Sequence, residues 1–235
     1  MRRMSWVYLI GLAAATVPLE ARAQSLVPVQ APRNVFGLGG EYMQPTGEFH
    51  DFVSGGGGLN LNFVAGIGGA GPLGVRFDGN VLWYGHEHYD VWLGPRVPYS
   101  YARVGTDNFI VNFGIGPQIT LGSGPVRPYG FGLAGVSYFV TESSVEDDWD
   151  PYYDSQTNFD DVRFALGAGG GFLVQFGAGR APVMLDVGAQ YTWNGETAYL
   201  REGSMVELPN GGLLINPIVS EANHWTFRAG VVWAF

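Results

Sequence analysis

The stretch Trp225-Thr226-Phe227-Arg228-Ala229-Gly230-Val231-Val232-Trp233-Ala234-Phe235 decides how this chain is read. Its odd positions, Trp225, Phe227, Ala229, Val231, Trp233 and Phe235, are all apolar, whereas the even ones, Thr226, Arg228, Gly230, Val232 and Ala234, are mostly polar or small. A period of two predicts a strand with one greasy face and one mixed face.

Working back from this segment, the same alternation returns. Phe36, Leu38 and Tyr42 alternate with Gly37, Gly39 and Glu41; Leu59, Leu61 and Phe63 with Asn60 and Asn62; Val75, Phe77, Val81 and Trp83 with Arg76, Asp78, Asn80 and Leu82. Phe109 to Leu121, Phe164 to Phe176 and Val183 to Trp193 repeat it, and Arg127 to Val140 is strand-like but leaves its faces ambiguous, with Gly130, Gly132 and Ala134 nearly blank on one side. These segments predict eight strands. Their links alternate in length: short Gly/Pro-rich turns at Gly68 to Gly71, Gly122 to Pro125 and Gly177 to Ala181, and longer loops at Gly47 to Gly55, His86 to Asp107, Glu142 to Asp161 and Gly195 to Ala222. Short turns at one end and long loops at the other are the plan of an all-β, eight-stranded antiparallel up-and-down transmembrane β-barrel. An extra membrane hairpin over Leu200 to Val219 would give ten strands, but Glu202, Glu207, Pro209, Asn216 and Pro217 suit an extracellular extension better.

Composition points the same way. Of 235 residues 46% are hydrophobic and only 14% charged, with 37 Gly, a balance that suits an ordinary water-soluble domain poorly. The 7 Trp, 12 Tyr and 15 Phe exclude a solvated coil, and a net charge of −9 argues against nucleic acid, which needs clustered cations. The absence of cysteine excludes disulfides, thiolate metal sites and cysteine nucleophiles. Residues 1–23 read as a cleaved signal peptide, with Arg2 and Arg3, an apolar stretch from Trp6 to Val17 and an Ala21-Arg22-Ala23 cleavage site, so the barrel domain is expected over 24–235. Aromatics fall at two heights: Tyr42, Trp83, Phe139, Trp193 and Trp225 at the outer rim, Phe172, Phe176, Trp233 and Phe235 at the periplasmic one, as interfacial girdles require.

The terminal Trp233-Ala234-Phe235, the stretch Gly37-Leu38-Gly39-Gly40-Glu41-Tyr42 with Pro45-Thr46-Gly47, and Val126-Arg127-Pro128-Tyr129-Gly130 resemble the small outer-membrane β-barrel superfamily that includes OmpW and OmpA/OmpX-type proteins. The resemblance implies residence in the bacterial outer membrane among its lipids and lipopolysaccharide, with Trp233 and Phe235 as the signal to the outer-membrane assembly machinery. It implies no single activity, because members of one fold differ in role.

The inward face is expected to carry Glu41, Arg76, Asp78, Arg163, Asp186 and Arg228, and these charges must pair because an eight-stranded interior is just wide enough for side chains. Glu41 should meet Arg228 where first and last strands close the barrel, and Arg76 should meet Asp78 or Asp186. Such a plug predicts a non-catalytic barrel with a structural or surface-interaction role through its long loops. The alternative is an OmpW-like channel for small hydrophobic or cationic molecules. The loop from Glu142 to Asp161 holds eight acids (Glu142, Glu146, Asp147, Asp148, Asp150, Asp154, Asp160, Asp161) without the spacing of a calcium loop, and reads as a solvated outer loop. His86, Glu87, His88 and Asp90 lack a third anchored metal ligand, and Ser137 and His224 lack an orienting acid, so no metal, cofactor or catalytic set is predicted. His50 and His224 are expected at the membrane interface.

Overall fold

The computed structural model describes residues 34–68, 71–92, 101–146, 155–176, 183–201, 203–207 and 213–235; the signal-peptide reading of residues 1–23 lies outside them. In chain order come β1 (Asn34–Pro45), a short α1 (Glu48–Phe52), β2 (Gly56–Gly66), β3 (Leu73–Trp92), β4 (Tyr101–Thr120), β5 (Val126–Glu146), β6 (Ser155–Phe176) and β7 (Val183–Trp193). After them follow four short strands, β8 (Glu196–Tyr199), β9 (Met205–Glu207), β10 (Leu213–Ile215) and β11 (Ile218–Glu221), and then β12 (His224–Ala234). Eight strands close into one barrel in the order β1-β12-β7-β6-β5-β4-β3-β2, every pair antiparallel. The remaining four pair as β8 with β11 and β9 with β10, outside the barrel ladder. The described residues of the segment Leu200 to Val219 therefore add no strand to the barrel.

Burial is inverted relative to a water-soluble barrel. Leu38, Leu59, Leu61, Phe113, Ile115, Phe164, Phe172, Val187, Phe227 and Val231 are exposed on the outer wall, while Glu41, Asn60, Arg76, Asp78, Asn80, Gln118, Asp186, Gln190 and Arg228 are buried inside. Such an exterior is stable only against hydrocarbon, and a closed ladder leaves no unpaired strand edge in it. No helix among the described residues is long and apolar enough to cross a membrane; strands make the crossing. The chain is an eight-stranded antiparallel transmembrane β-barrel.

Strand lengths divide the barrel from what it carries. β1, β2, β7 and β12 have 11 or 12 residues, close to the 9–11 that a tilted strand needs to span the hydrocarbon, whereas β3 to β6 have 20 to 22. The surplus of β3 pairs with β4 alone, out to Trp92 opposite Tyr101, and β5 and β6 pair out to Ser144 opposite Ser155. Much of what the sequence suggested as loops at His86 to Asp107 and Glu142 to Asp161 is thus continued hairpin, because backbone groups leaving the barrel still find partners in the adjacent strand. A one-residue register shift marks each exit, between Trp83 and Gly85 and between Thr141 and Glu142. These are β-bulges, which bend a strand at a barrel rim.

The outer girdle contains exposed Tyr42, Trp83, Trp193 and Trp225, with Tyr191 packed edge-on between Trp193 and Trp225 at 4.6 and 5.1 Å. Phe172, Phe176, Trp233 and Phe235 are exposed at the other end. Phe139 departs from the expectation. It is buried inside, because the inward parity of β5 runs through Tyr129, Phe131, Leu133, Ser137 and Phe139, with Gly130, Gly132 and Ala134 on the outer wall. The nearly blank face of β5 is therefore the lipid face.

Candidate functional site: a sealed lumen

The interior is filled in layers. At the periplasmic end Tyr129, Phe131, Leu133, Leu173, Met184, Val232 and Ala234 form one buried apolar cluster, so the lumen is less uniformly polar than the alternation suggested. Its upper members Tyr129 and Phe131 reach Arg76, Asp186 and Arg228, and at this height lie five of the six predicted charges. Arg76 pairs with Asp78, Nη2 to Oδ2 at 2.5 Å, with Nε donating to the same oxygen at 2.7 Å. Arg228 stands between three carboxylates: 3.2 Å from Asp186, 3.5 Å from Asp78 and 3.8 Å from Glu41. Glu41 and Arg228 are direct partners in the register that closes the barrel.

Arg163 is not in this group. Its side chain is 45% exposed and pairs with Asp161 at 2.9 Å, because it stands on β6 three residues beyond the last pair with β7, Leu166 opposite Trp193. Trp233 and Phe235 sit on the outer wall, Trp233 stacked on Phe36 and Phe235 on Phe63.

Two partners of the charge layer, Tyr129 and Phe131, were not singled out from sequence, whereas the amides Asn60, Asn80 and Gln118 were expected on the inward face. The Tyr129 hydroxyl donates to Asp186 at 2.5 Å and accepts from Arg228 Nη2 at 3.0 Å. Room for it is made by Gly171 and Gly188, where a Cβ would come within 2.7 and 2.6 Å of that oxygen. The Phe131 ring lies 4.5 Å from the Arg76 guanidinium and 5.5 Å from that of Arg228, placing both cations against its π face. Asn60 donates to Asp78, Asn80 to Glu41, and Arg76 to Gln118, at 2.8, 2.8 and 3.0 Å. The signal that would have found Tyr129 and Phe131 was the parity of β5, which its glycines obscure.

A ladder of amides and hydroxyls rises from there: Asn112 donates to Asn80 at 2.7 Å, and Ser137 Oγ lies 2.5 Å from Asn112 Oδ1 and 2.6 Å from Asn194 Oδ1. The single hydroxyl hydrogen serves one of these oxygens at a time. Ser137 is thus held by asparagines. His224, fully buried and beside Phe49, faces the Ala222 carbonyl through Nδ1 at 3.2 Å, and no hydrogen bond joins it to Ser137 among the described residues. Its burial places it inside the barrel mouth, where an interfacial histidine was expected. His86 pairs with Asp107 at 2.7 Å; the side chains of His88 and Asp90, and residues 147–154 of the acidic segment, lie outside the described residues.

The outer mouth is closed by apolar groups. Met43, Phe49, Val53, Leu82, Ile110, Phe139, Tyr199 and Ala222 form a buried cluster, joined by Tyr84, the residue at the β3 bulge, and Ile218. Phe49 comes from α1, which begins after Gly47 at φ 58°, a left-handed turn that turns the chain back over the mouth. Tyr199 meets Phe49 edge-on at 5.1 Å and shares a hydrogen bond with Ser220 at 2.8 Å. Burial raises the Tyr199 phenol above its ordinary pKa, against the lowering effect of that bond. The cap is tied down by Tyr84 to the Leu200 carbonyl (3.1 Å), the Ala198 amide to Asp161 (2.8 Å), the Gly203 amide to Glu87 (2.8 Å) and the Glu221 amide to Glu48 (3.2 Å).

No protein-family model and no curated protein matches the sequence significantly. Among solved structures, the chain is similar to Neisserial surface protein A (NspA) at 16% identity and a TM-score of 0.46, covering 86% of this chain and 97% of that one. It is similar to Ail, the attachment invasion locus protein of Yersinia pestis, at 13% and 0.46, covering 87% and 99%. Similarity to the outer membrane protein OprG from Pseudomonas aeruginosa is 13% and 0.47, covering 88% and 97%. At values this low, the assignment of the fold rests on the chain's own strand order, register and inverted burial.

Proposed function

We propose that this barrel is a non-conducting, non-catalytic anchor of the outer membrane whose role is performed by the surface it presents outside, two projecting hairpins and a folded cap. The observation that carries this reading is the stacking of closures in one narrow lumen: an apolar floor, the Arg76–Arg228 charge layer, the amide ladder and the Phe49 cap. An aqueous path would have to open all of them, and breaking the buried pairs alone costs several kcal/mol, about 3–5 for one partner removed. The investment of residues supports the same reading, since β3 to β6 are each about twice as long as the span requires. On this reading residues 1–23 direct export, Trp233 and Phe235 present the assembly signal, and the outer wall meets membrane lipid and lipopolysaccharide.

The test is permeation. Proteoliposomes of the refolded chain are expected to swell in arabinose or arginine no faster than empty liposomes. Swelling at the rate of a general porin would replace this reading with the transport alternative.

A further inference from the structure

Beside the amide ladder lies a small cavity lined on its lumen side by Asp78, Asn112, Leu133, Gln190 and Thr192, whose wall extends through β4, β5 and β6 to lipid-face residues such as Phe113 and Leu166. Its volume is about 20 Å3. One water needs a cavity of roughly 10–15 Å3 and at least two polar partners. The chamber meets the first condition once and leaves no space for a chain of waters.

Its polar wall meets the second. Gln190 is buried, and its Oε1 has no hydrogen-bond partner in the protein, while its Nε2 donates to Thr192 Oγ1 at 3.1 Å. A buried acceptor left unpaired costs about 1–3 kcal/mol, which a bound donor removes. Turning the amide over would only exchange which atom is left unpaired. The Thr192 hydroxyl, having accepted from Gln190, keeps its own hydrogen to give, and Asp78 Oδ1, which accepts from Asn60, keeps a second lone pair, while Oδ2 faces Arg76 and Arg228. The wall therefore offers two acceptors and one donor, the complement of a water molecule that gives two hydrogen bonds and receives one. A bare cation could not receive the Thr192 hydrogen.

Glycine keeps the space open. A Cβ at Gly167 would stand 3.2 Å from Gln190 Nε2 and 3.5 Å from Leu133 Cβ, inside the same wall. We propose that this chamber is a binding site for a single structural water, which donates to Gln190 Oε1 and to Asp78 and accepts from Thr192. In the strand order of the barrel β7 and β3 stand opposite each other, so this water braces the lumen across its diameter and joins the amide ladder to the Arg76–Asp78 pair.

Water–protein cross-relaxation NMR on the refolded barrel in micelles tests the site, with the Asn112 side-chain amide as reporter. The expected result is a water cross-peak of the sign given by a molecule resident for longer than the nanosecond range, lost in Gly167→Ala and in Gln190→Leu. The second variant removes the acceptor without adding a backbone clash, so the test survives if Gly167→Ala fails to fold. The site rests on the sealed-lumen reading only for this slow exchange. No cross-peak in the wild type, with permeation still absent, would overturn the water site alone. A cross-peak with the sign of rapidly exchanging water would overturn both, as would its persistence in both variants together with solute permeation.

Discussion

Arg228 and Glu41 face each other across the seam where β12 meets β1, register partners whose charged ends lie 3.8 Å apart, and Glu41 is the most distant of the three carboxylates that the guanidinium serves. Three buried acids share two guanidiniums here. Arg228→Ala, which strands Asp186 and Glu41 without their cation, should lower stability by about 3–5 kcal/mol, read as a shift in the urea midpoint of the folded band on unheated gels. Glu41→Gln, which keeps an oxygen for Asn80 and removes the surplus negative charge, should cost well under half of that.

Arg163 makes the contrast. Its pair with Asp161 is partly exposed and screened, so Arg163→Ala should change stability by less than about 1 kcal/mol in the same urea titration. An effect as large as that of Arg228→Ala would place Arg163 in the lumen network after all.

Phe49→Ala removes the ring at the centre of the cap and should cost about 3–5 kcal/mol, most of it expressed as protease sensitivity between Gly47 and Gly55. The charge layer beneath is untouched. Planar bilayers containing this variant should therefore stay silent, and conduction from Phe49→Ala alone would show that the cap is the sole closure.

Glycine at 188 is required by the Tyr129 hydroxyl, which a Cβ would meet at 2.6 Å. Gly188→Ala should displace Tyr129 from Asp186 and destabilise the barrel by about 1–3 kcal/mol, measured by urea unfolding followed by tryptophan fluorescence. Gly124→Ala, in open space at a periplasmic turn, should leave the midpoint where it is.

The eight strands and their direction were legible because lipid and lumen impose opposite demands on alternate residues, as Trp225, Phe227 and Val231 against Thr226 and Arg228 make plain. The Glu41–Arg228 contact followed from that parity plus closure of the first strand on the last. Parity failed where side chains give no contrast: in β5 the inward Tyr129, Phe131 and Phe139 are as apolar as an outer face, so Phe139 was expected in the girdle. Arg163 has inward parity, but its height on β6 depends on the barrel's stagger, which a single strand does not encode. The projecting hairpins were hidden too, because polar residues such as His86, Glu87 and Asp107 look the same in a loop and in a strand surrounded by water.

The central claim is that the lumen is closed, and the most direct measurement is single-channel recording of the refolded wild-type chain in a planar bilayer, with the Phe49→Ala/Arg228→Ala double variant beside it. The account predicts a silent wild type that keeps its heat-modifiable fold, and no porin-like current from the double variant either, because the apolar floor and the amide ladder still stand. Stable, reproducible steps from the wild type would contradict it.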